Sequence, residues 1–318
     1  MSQIEISTII VSYNNPEYLR KCIGSLNTFL PGSGSEIIVV DNNSSDNNVK
    51  VVKNEFPDVL LIENSENTGY SQAINQGLEA ARGIFCAIMN SDVEFTSDVF
   101  TPIMDYIRNN DKTGIAGCTL EFPDGSPQRS YYRFPSFLSR LAYFTGINKI
   151  INAESLTKIS SSEIDNEVVP VDVVCGAFFI VERETLQSID GFDPDYFLYF
   201  EEVDACYRLH QKGYNNVIFP FLKVIHYGRH YETPDNQIVY FQRNRSLLIY
   251  YFKNFSRFRF YSLWKLNIVF LSLKWFFSTL LGTFSKKWSD YADSHLSVIK
   301  YHYKFLRNIL DRKRNDFP

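Results

Sequence analysis

The chain has only five cysteines in 318 residues, Cys22, Cys86, Cys118, Cys175 and Cys206, scattered and without a CxxC pair. That usage excludes a disulfide framework and a cysteine-built zinc site, and it fits a reducing cytoplasm. No GxGxxG follows the first apolar segment. Val11-Ser12-Tyr13-Asn14-Asn15-Pro16 stands there instead, which removes the dinucleotide fingerprint of an NAD(P) oxidoreductase. The opening Met1-Ser2-Gln3-Ile4-Glu5 lacks a basic stretch ahead of an apolar one, so no secretory signal is expected. Long unbroken apolar runs are missing as well. The most apolar region, Phe258 to Phe284, is interrupted by Arg259, Lys265, Asn267 and Lys274. Ionised groups at bilayer depth are costly, so this region reads as a helix lying in an interface rather than a span.

What is present is an ordinary globular mixture, 45% hydrophobic and 21% charged, enough for one large domain with an appendage. The net charge of −4 conceals a polarity: residues 253–318 hold 13 Lys/Arg against 4 Asp/Glu, and the remainder 19 against 32. A basic, aromatic tail that includes Lys286-Lys287 and Arg312-Lys313-Arg314 points to an anionic membrane surface as partner, with docking on the acidic body as the alternative. No nucleic-acid partner is expected. These features place the chain in the cytoplasm, peripheral on the inner face of the cell membrane.

Strand and helix patterns alternate at short intervals through the first ninety residues. Residues 4–12, 36–40, 59–63 and 85–89 read as strands, and helices are expected from Pro16 to Asn27 and from Tyr70 to Ala81. Such alternation predicts an α/β fold with a mostly parallel sheet flanked by helices. Ligands bind such sheets beyond the carboxyl ends of the strands. Those ends carry Ser12-Tyr13-Asn14, Asp41-Asn42-Asn43, Asn64 to Asn67 and Asn90-Ser91-Asp92, all polar. Residues 126–170 are less regular, with a loose loop at Ser160-Ser161-Ser162. Order returns with a strand over 171–181 broken at Gly176, a helix from near Glu182, and another from Val203 to Lys212 stopped by Gly213. Asn216 to Pro220 and Leu222 to Ile225 are strand-like. A helical region begins at Thr233-Pro234, where Thr233 can cap and Pro234 suits the first turn.

Several motifs fall in one order: Val11-Ser12-Tyr13-Asn14, Val40-Asp41-Asn42-Asn43-Ser44-Ser45-Asp46, Asn67-Thr68-Gly69-Tyr70, Met89-Asn90-Ser91-Asp92-Val93-Glu94, Gly191-Phe192-Asp193 and Phe200-Glu201-Glu202-Val203-Asp204. Over roughly residues 4–250 the chain resembles glycosyltransferase family 2, inverting enzymes with the GT-A fold. Within it the chain is most similar to rhamnosyltransferase-like members that build O-antigen and other bacterial surface polysaccharides. The resemblance implies a GT-A catalytic domain at 1–232, with a Rossmann-like nucleotide-binding half at about 1–95 and an acceptor half at about 115–232. A helical C-terminal extension then occupies 233–318.

The resemblance also implies roles. Asp41 matches the acid that reads a pyrimidine base, its alternative being a helix N-cap. Ser12, Asn14, Asn43, Asn67 and Asn75 are weaker candidates for the same nucleotide, and Asn75 has the alternative of bonding the backbone. Asn90-Ser91-Asp92 matches the family's DxD position with asparagine in first place. Asp92 would then face the diphosphate through a divalent cation, Mg2+ or Mn2+, both of which favour oxygen ligands. Glu94 is a further candidate ligand or a solvated loop charge. His226 completes the metal shell or is structural. Of the paired acids, Glu202 occupies the place of the general base, where the family usually has aspartate, and Glu201 is the alternate. Asp204 and Arg208, spaced i, i+4, are expected to pair with each other. Cys175-Gly176-Ala177 lies where the acceptor approaches, and Arg243 and Arg245 are candidate phosphate contacts or surface charge. The expected partners are a nucleoside diphosphate sugar, dTDP-L-rhamnose or a UDP-hexose, and a glycan or lipid-linked glycan acceptor. A catalytically inactive binding scaffold of the same fold is the alternative.

Overall fold

A computed structural model describes residues 3–31, 34–139, 167–228 and 237–311. The expected loop at 160–162, the helix start at Thr233-Pro234 and the basic group at 312–314 lie outside the described residues. The chain divides into two compact units, Met1–Phe134 with Thr157–Gly228 and Pro135–Leu156 with Arg229–Pro318.

The first unit is built on β1 (Ile6–Ser12), α1 (Pro16–Phe29), β2 (Ser35–Asp41), α2 (Asn48–Glu55), β3 (Leu60–Glu63), α3 (Tyr70–Ala80) and β4 (Phe85–Asn90). Next come β5 (Val93–Glu94), α4 (Phe100–Arg108), β6 (Thr113–Glu121), β7 (Tyr131–Tyr132), β8 (Val169–Val171), β9 (Val173–Val174) and β10 (Phe178–Glu182). The short helix α5 (Arg183–Gln187), α6 (Glu201–Gln211) and β11 (Asn215–His226) complete it. Nine strands form one sheet in the order β3-β2-β1-β4-β10-β6-β11-β5, with β8 beside β11, while β7 and β9 make a separate pair. The strands β3, β2, β1 and β4 run parallel, so their carboxyl ends emerge side by side. β10 joins β4 antiparallel, and β5 joins β11 antiparallel through Ile225 and His226.

β1 is buried along its full length, which is why it is rich in β-branched residues and lacks a charge. Ile6 and Ile10 enter one cluster with Cys22, Ile23 and Leu26 of α1 and with Ile103, Met104 and Ile107 of α4. Each such aliphatic side chain contributes about 1.5–3 kcal/mol on full burial. The core therefore clamps the sheet from beneath and leaves the loops at the strand ends free to bind.

β6 and α4 carry no strong sequence signal, yet β6 is a central strand. Its Gly114, Ala116, Gly117 and Cys118 lack the bulk that marks a strand. The reason is contact: a Cβ on Gly117 would sit 2.3 Å from Val174 Cγ1. The two strand-like pieces before His226 are one twelve-residue strand, β11, whose register slips between Phe219 and Lys223. Pro220, which has no N–H to give the ladder, lies in that slip. The region 171–181 is three short strands rather than one.

The second unit, as described, contains α7 (Gln237–Asn254), α8 (Arg257–Gly282) and α9 (Lys286–Asp311). Ser256 caps α8, its Oγ accepting from the Arg259 N–H at 3.5 Å. Among the described residues no helix is long and apolar enough to cross a membrane.

Candidate active site

The polar strand ends form one hydrogen-bonded net. Asn48 donates to Ser12 Oγ (2.7 Å) and Ser44 Oγ (3.0 Å), Ser12 donates to Asn15 Oδ1 (3.1 Å), and Asn15 donates to Ser91 Oγ (2.6 Å). This net ties the ends of β1 and β2 to the turn after β4. Asn14 and Asn43 hold φ of 52° and 65°, a left-handed conformation that asparagine tolerates better than bulkier residues. The Asn14 side-chain oxygen accepts from the Ser45 N–H at 2.8 Å. Asn42, which the motif comparison passes over, is 3% exposed and is a hub. It donates to Asn67 Oδ1 (3.0 Å) and Gly69 O (3.2 Å) and accepts from Thr68 N (3.0 Å) and Asn64 Nδ2 (3.1 Å). Ser12 and Asn67 thus shape the loops from within.

Asp41 sits at the floor of this net, 2% exposed. Its Oδ2 accepts from the Ser44 N–H at 2.9 Å, while its buried Oδ1 has no protein partner. A buried carboxylate oxygen left open in this way is costly unless a ligand donor reaches it. Asn75 is used differently. Its Nδ2 donates to Phe192 O (2.7 Å) and its Oδ1 accepts from Phe192 N (2.9 Å), so both ends of the amide secure the backbone. That is the backbone alternative for Asn75.

Asp92 and His226 meet at the edge where β5 pairs with β11. His226 Nε2 stands 3.4 Å from Asp92 Oδ1, and Asn90 Nδ2 lies 3.4 Å from the same ring nitrogen. Gly228 N–H donates to Asp92 Oδ2 at 3.0 Å. Gly228 has φ of +49°, and a Cβ there would lie 2.8 Å from the imidazole, so glycine is required beside the ring. Burial pushes the Asp92 carboxyl up, but the His226 contacts and the Gly228 N–H outweigh it and hold the group below its ordinary range.

Gln128, which carried no sequence signal, sets the histidine's tautomer. Its Nε2 donates to the backbone oxygen of His226, and its Oε1 lies 2.9 Å from His226 Nδ1. A carbonyl only accepts, so the NH2 end must face it. The amide oxygen also only accepts, so Nδ1 carries the proton. Nε2 then faces the Asp92 carboxylate, carrying a proton in the imidazolium, the form that lowers the Asp92 carboxyl, and a lone pair in the neutral ring. In the neutral ring the two facing acceptors call for a cation between them. A carboxylate oxygen and an imidazole nitrogen fit a divalent cation of the Mn2+ or Mg2+ kind, with other positions left for phosphate oxygens and water. Glu94 does not join them. Its Oε2 accepts from the Tyr227 hydroxyl at 2.6 Å, and Lys21 Nζ donates to that hydroxyl at 3.0 Å. Among the described residues no three acidic, histidine or cysteine side chains converge as a metal cluster, and the pair that faces each other is Asp92 and His226.

The paired acids open α6. Tyr199 and Phe200 just before them hold φ of 68° and 71°, a strained conformation for aromatic residues. That turn drops Glu201 inward, 5% exposed, and leaves Glu202 half-buried. Burial, and then the adjacent Glu202 charge, raise the Glu201 carboxyl well above its ordinary value, so burial disfavours its ionised form. Gly176 backs Glu202, with the position of a Cβ there only 3.4 Å from Glu202 Cβ. The Gly176 oxygen accepts from the Tyr70 hydroxyl at 3.3 Å, and Ala177 O accepts from Asn90 N at 3.0 Å. Burial, Glu201, Glu202 and Asp92 together push the Tyr70 phenol well above its ordinary value. Gly176 and Ala177 thus link the Glu202 segment to Asn90, two residues before Asp92.

Asp204 and Arg208 pair as the spacing predicts, Arg208 Nε donating to Asp204 Oδ2 at 2.6 Å. Arg208 also holds the oxygens of Ile189 and Gly191, so the pair fixes the 189–196 turn. Arg243 and Arg245 lie on α7 in the second unit.

A family model described as "Glycosyl transferase family 2" matches residues 7–189. The chain is 24% identical over 241 residues to the N-acetylglucosaminyl-diphospho-decaprenol L-rhamnosyltransferase of Mycobacterium tuberculosis, covering 71% of this chain and 76% of that one. It is 28% identical over 233 residues to the rhamnosyltransferase WbbL of Escherichia coli K12, covering 70% and 83%. Among solved structures it superposes on GalNAc-T7 with UDP, GalNAc and Mn2+ at a TM-score of 0.57 and 18% identity, covering 78% of this chain and 48% of that one. The shared architecture is the GT-A fold.

Proposed function

We propose that this chain, which belongs to glycosyl transferase family 2, is an inverting glycosyltransferase that moves one sugar from a nucleoside diphosphate donor to a glycan hydroxyl. The donor is a pyrimidine sugar nucleotide, dTDP-L-rhamnose first and a UDP-hexose second, because the relatives named above are rhamnosyltransferases. The acceptor is a lipid-linked glycan of surface polysaccharide or O-antigen synthesis. The basic C-terminal region holds the enzyme at the inner face of the membrane that carries that acceptor.

The observation that carries the reading is the division of labour between two acids one residue apart. Glu201 is buried with its carboxyl raised well above the ordinary value, whereas Glu202 is half-buried beside Gly176. Glu202 takes the proton from the acceptor hydroxyl as its oxygen attacks the anomeric carbon. The bond from that carbon to the diphosphate breaks on the opposite side, and the nucleoside diphosphate leaves with the electron pair. Asp41 receives the base N–H on its open Oδ1. Asp92 and His226 hold the divalent cation, which, when bound, offsets the charge developing on the departing diphosphate. Asn42 and its partners keep these loops in register before substrate arrives, so little ordering is needed on binding.

A panel of nucleotide sugars with Mn2+, read by melting temperature, tests the donor. Selective stabilisation by dTDP- and UDP-sugars over purine nucleotides is expected, since a bound ligand raises stability by mass action. Equal stabilisation by GDP-sugars would remove the pyrimidine assignment.

A further inference from the structure

Helix α8 carries large apolar side chains on both its inner and its outer face. Phe260, Leu263, Ile268 and Leu271 are buried, and Trp264 donates from Nε1 to the His302 oxygen of α9 at 3.4 Å. Its other face is uncovered. Val269, Leu273, Phe276, Phe277, Leu280 and, just past the helix end, Phe284 are each more than half exposed. Their spacing places them on one stripe. A contiguous apolar stripe of large side chains on a protein surface marks a contact with something else.

Charge identifies that something. From Asn236 to Ser289 the chain has no Asp or Glu, while it has nine Lys and Arg. Lys265 and Lys274 lie on α8, and Lys286 and Lys287 open α9 beside its end. Pairing of two copies through this stripe would bring two cationic, acid-free surfaces together. A membrane with anionic headgroups instead accepts the aromatic stripe and complements the lysines at once. The same lysines keep the helix from crossing.

We infer that the outer face of α8, centred on Leu273, Phe276, Phe277 and Leu280, is the surface by which the protein inserts into an anionic lipid interface, with α8 lying in the membrane plane. This rests on the membrane placement proposed above and assigns it to one helix face. It requires neither donor nor metal, so it fails or stands apart from the transferase reading.

The chain provides its own probe. Its three tryptophans, Trp264, Trp275 and Trp288, all lie on α8 or at the start of α9. The full-length protein is titrated with vesicles of phosphatidylcholine containing phosphatidylglycerol, and with pure phosphatidylcholine. Tryptophan emission should shift to the blue only with the anionic vesicles, and binding should weaken in high salt. The double variant F276S/F277S, at exposed positions, should bind at least tenfold more weakly while keeping its melting temperature and its stabilisation by nucleotide. Lys286→Glu with Lys287→Glu should weaken binding with the apolar stripe intact. Unchanged vesicle binding in F276S/F277S would overturn the inference. So would a dimer in solution without lipid that this variant dissociates, because the stripe would then be covered by a second copy. Loss of nucleotide stabilisation in the wild type with vesicle binding intact would count against the transferase reading alone.

Discussion

Gln128→Met removes the group that sets the His226 tautomer while keeping the side chain's length. In the wild type, Gln128 Oε1 accepts from Nδ1 at 2.9 Å and turns the Nε2 lone pair toward Asp92. Without it, the Nδ1–H loses its acceptor on a ring whose side chain is only 14% exposed. An unsatisfied buried donor costs about 1–3 kcal/mol. The ring escapes that cost by moving its proton to Nε2, where it donates to the Asp92 carboxylate. The escape consumes the lone pair that a cation would use. Loss of such an outer partner weakens metal binding by roughly 10–100-fold, or about 1.4–2.7 kcal/mol. Calorimetric titration of Mn2+ in the presence of dTDP measures the affinity, and nitrogen-15 NMR of the imidazole identifies the tautomer. A variant with wild-type Mn2+ affinity and the proton still on Nδ1 would refute the reasoning. A lowered melting temperature alone would show Gln128 to be merely structural.

Three further outcomes follow from the same geometry. Asp41→Asn should lower affinity for dTDP or UDP by roughly 10-fold or more, the scale of a hydrogen bond to a charged group, read by calorimetry with nucleotide alone; unchanged affinity would assign Asp41 to loop structure only. Arg208→Leu strips a buried Asp204 of its partner and should cost about 3–5 kcal/mol in a denaturant melt, and a loss under 1 kcal/mol would show the pair to be dispensable. Glu201 has its carboxyl raised in the folded state, so the native protein holds more protons than the unfolded chain above the ordinary carboxyl range. Its contribution to stability then falls as pH rises through that window toward the raised value. Glu201→Gln should flatten that slope, and an identical slope in the variant would contradict the raised carboxyl.

Much of the fold was legible because the first half obeys local rules. β1 to β4 are short and apolar, with β1 and β4 largely buried, and each ends on polar residues that the parallel pairing gathers side by side. The Asp204–Arg208 pair was legible from its spacing alone, since i, i+4 neighbours on a helix meet without help from the rest of the fold. β6 was not legible, because its glycines answer to Val174, a neighbour distant in sequence, rather than to strand propensity. Gln128 was invisible for the same reason: it lies 98 residues from His226, and only the folded sheet brings them together. For Glu94 the sequence left a ligand and a loop charge as alternatives, and it did not show Tyr227, 133 residues away, whose hydroxyl donates to Glu94 Oε2. Asn42 looked like motif filler beside Asp41, although its hydrogen bonds hold the loop that Asp41 depends on.

The central claim is that Glu202, not Glu201, removes the acceptor proton. Its most direct measurement is turnover with saturating donor and acceptor for Glu202→Gln and Glu201→Gln side by side, with donor binding followed in parallel. Glu202→Gln should lose roughly 10²–10⁴-fold in kcat with donor affinity unchanged, while Glu201→Gln keeps most of its activity, since burial already disfavours the ionised carboxyl there. Near-normal turnover in Glu202→Gln, or the larger loss in Glu201→Gln, would contradict the account.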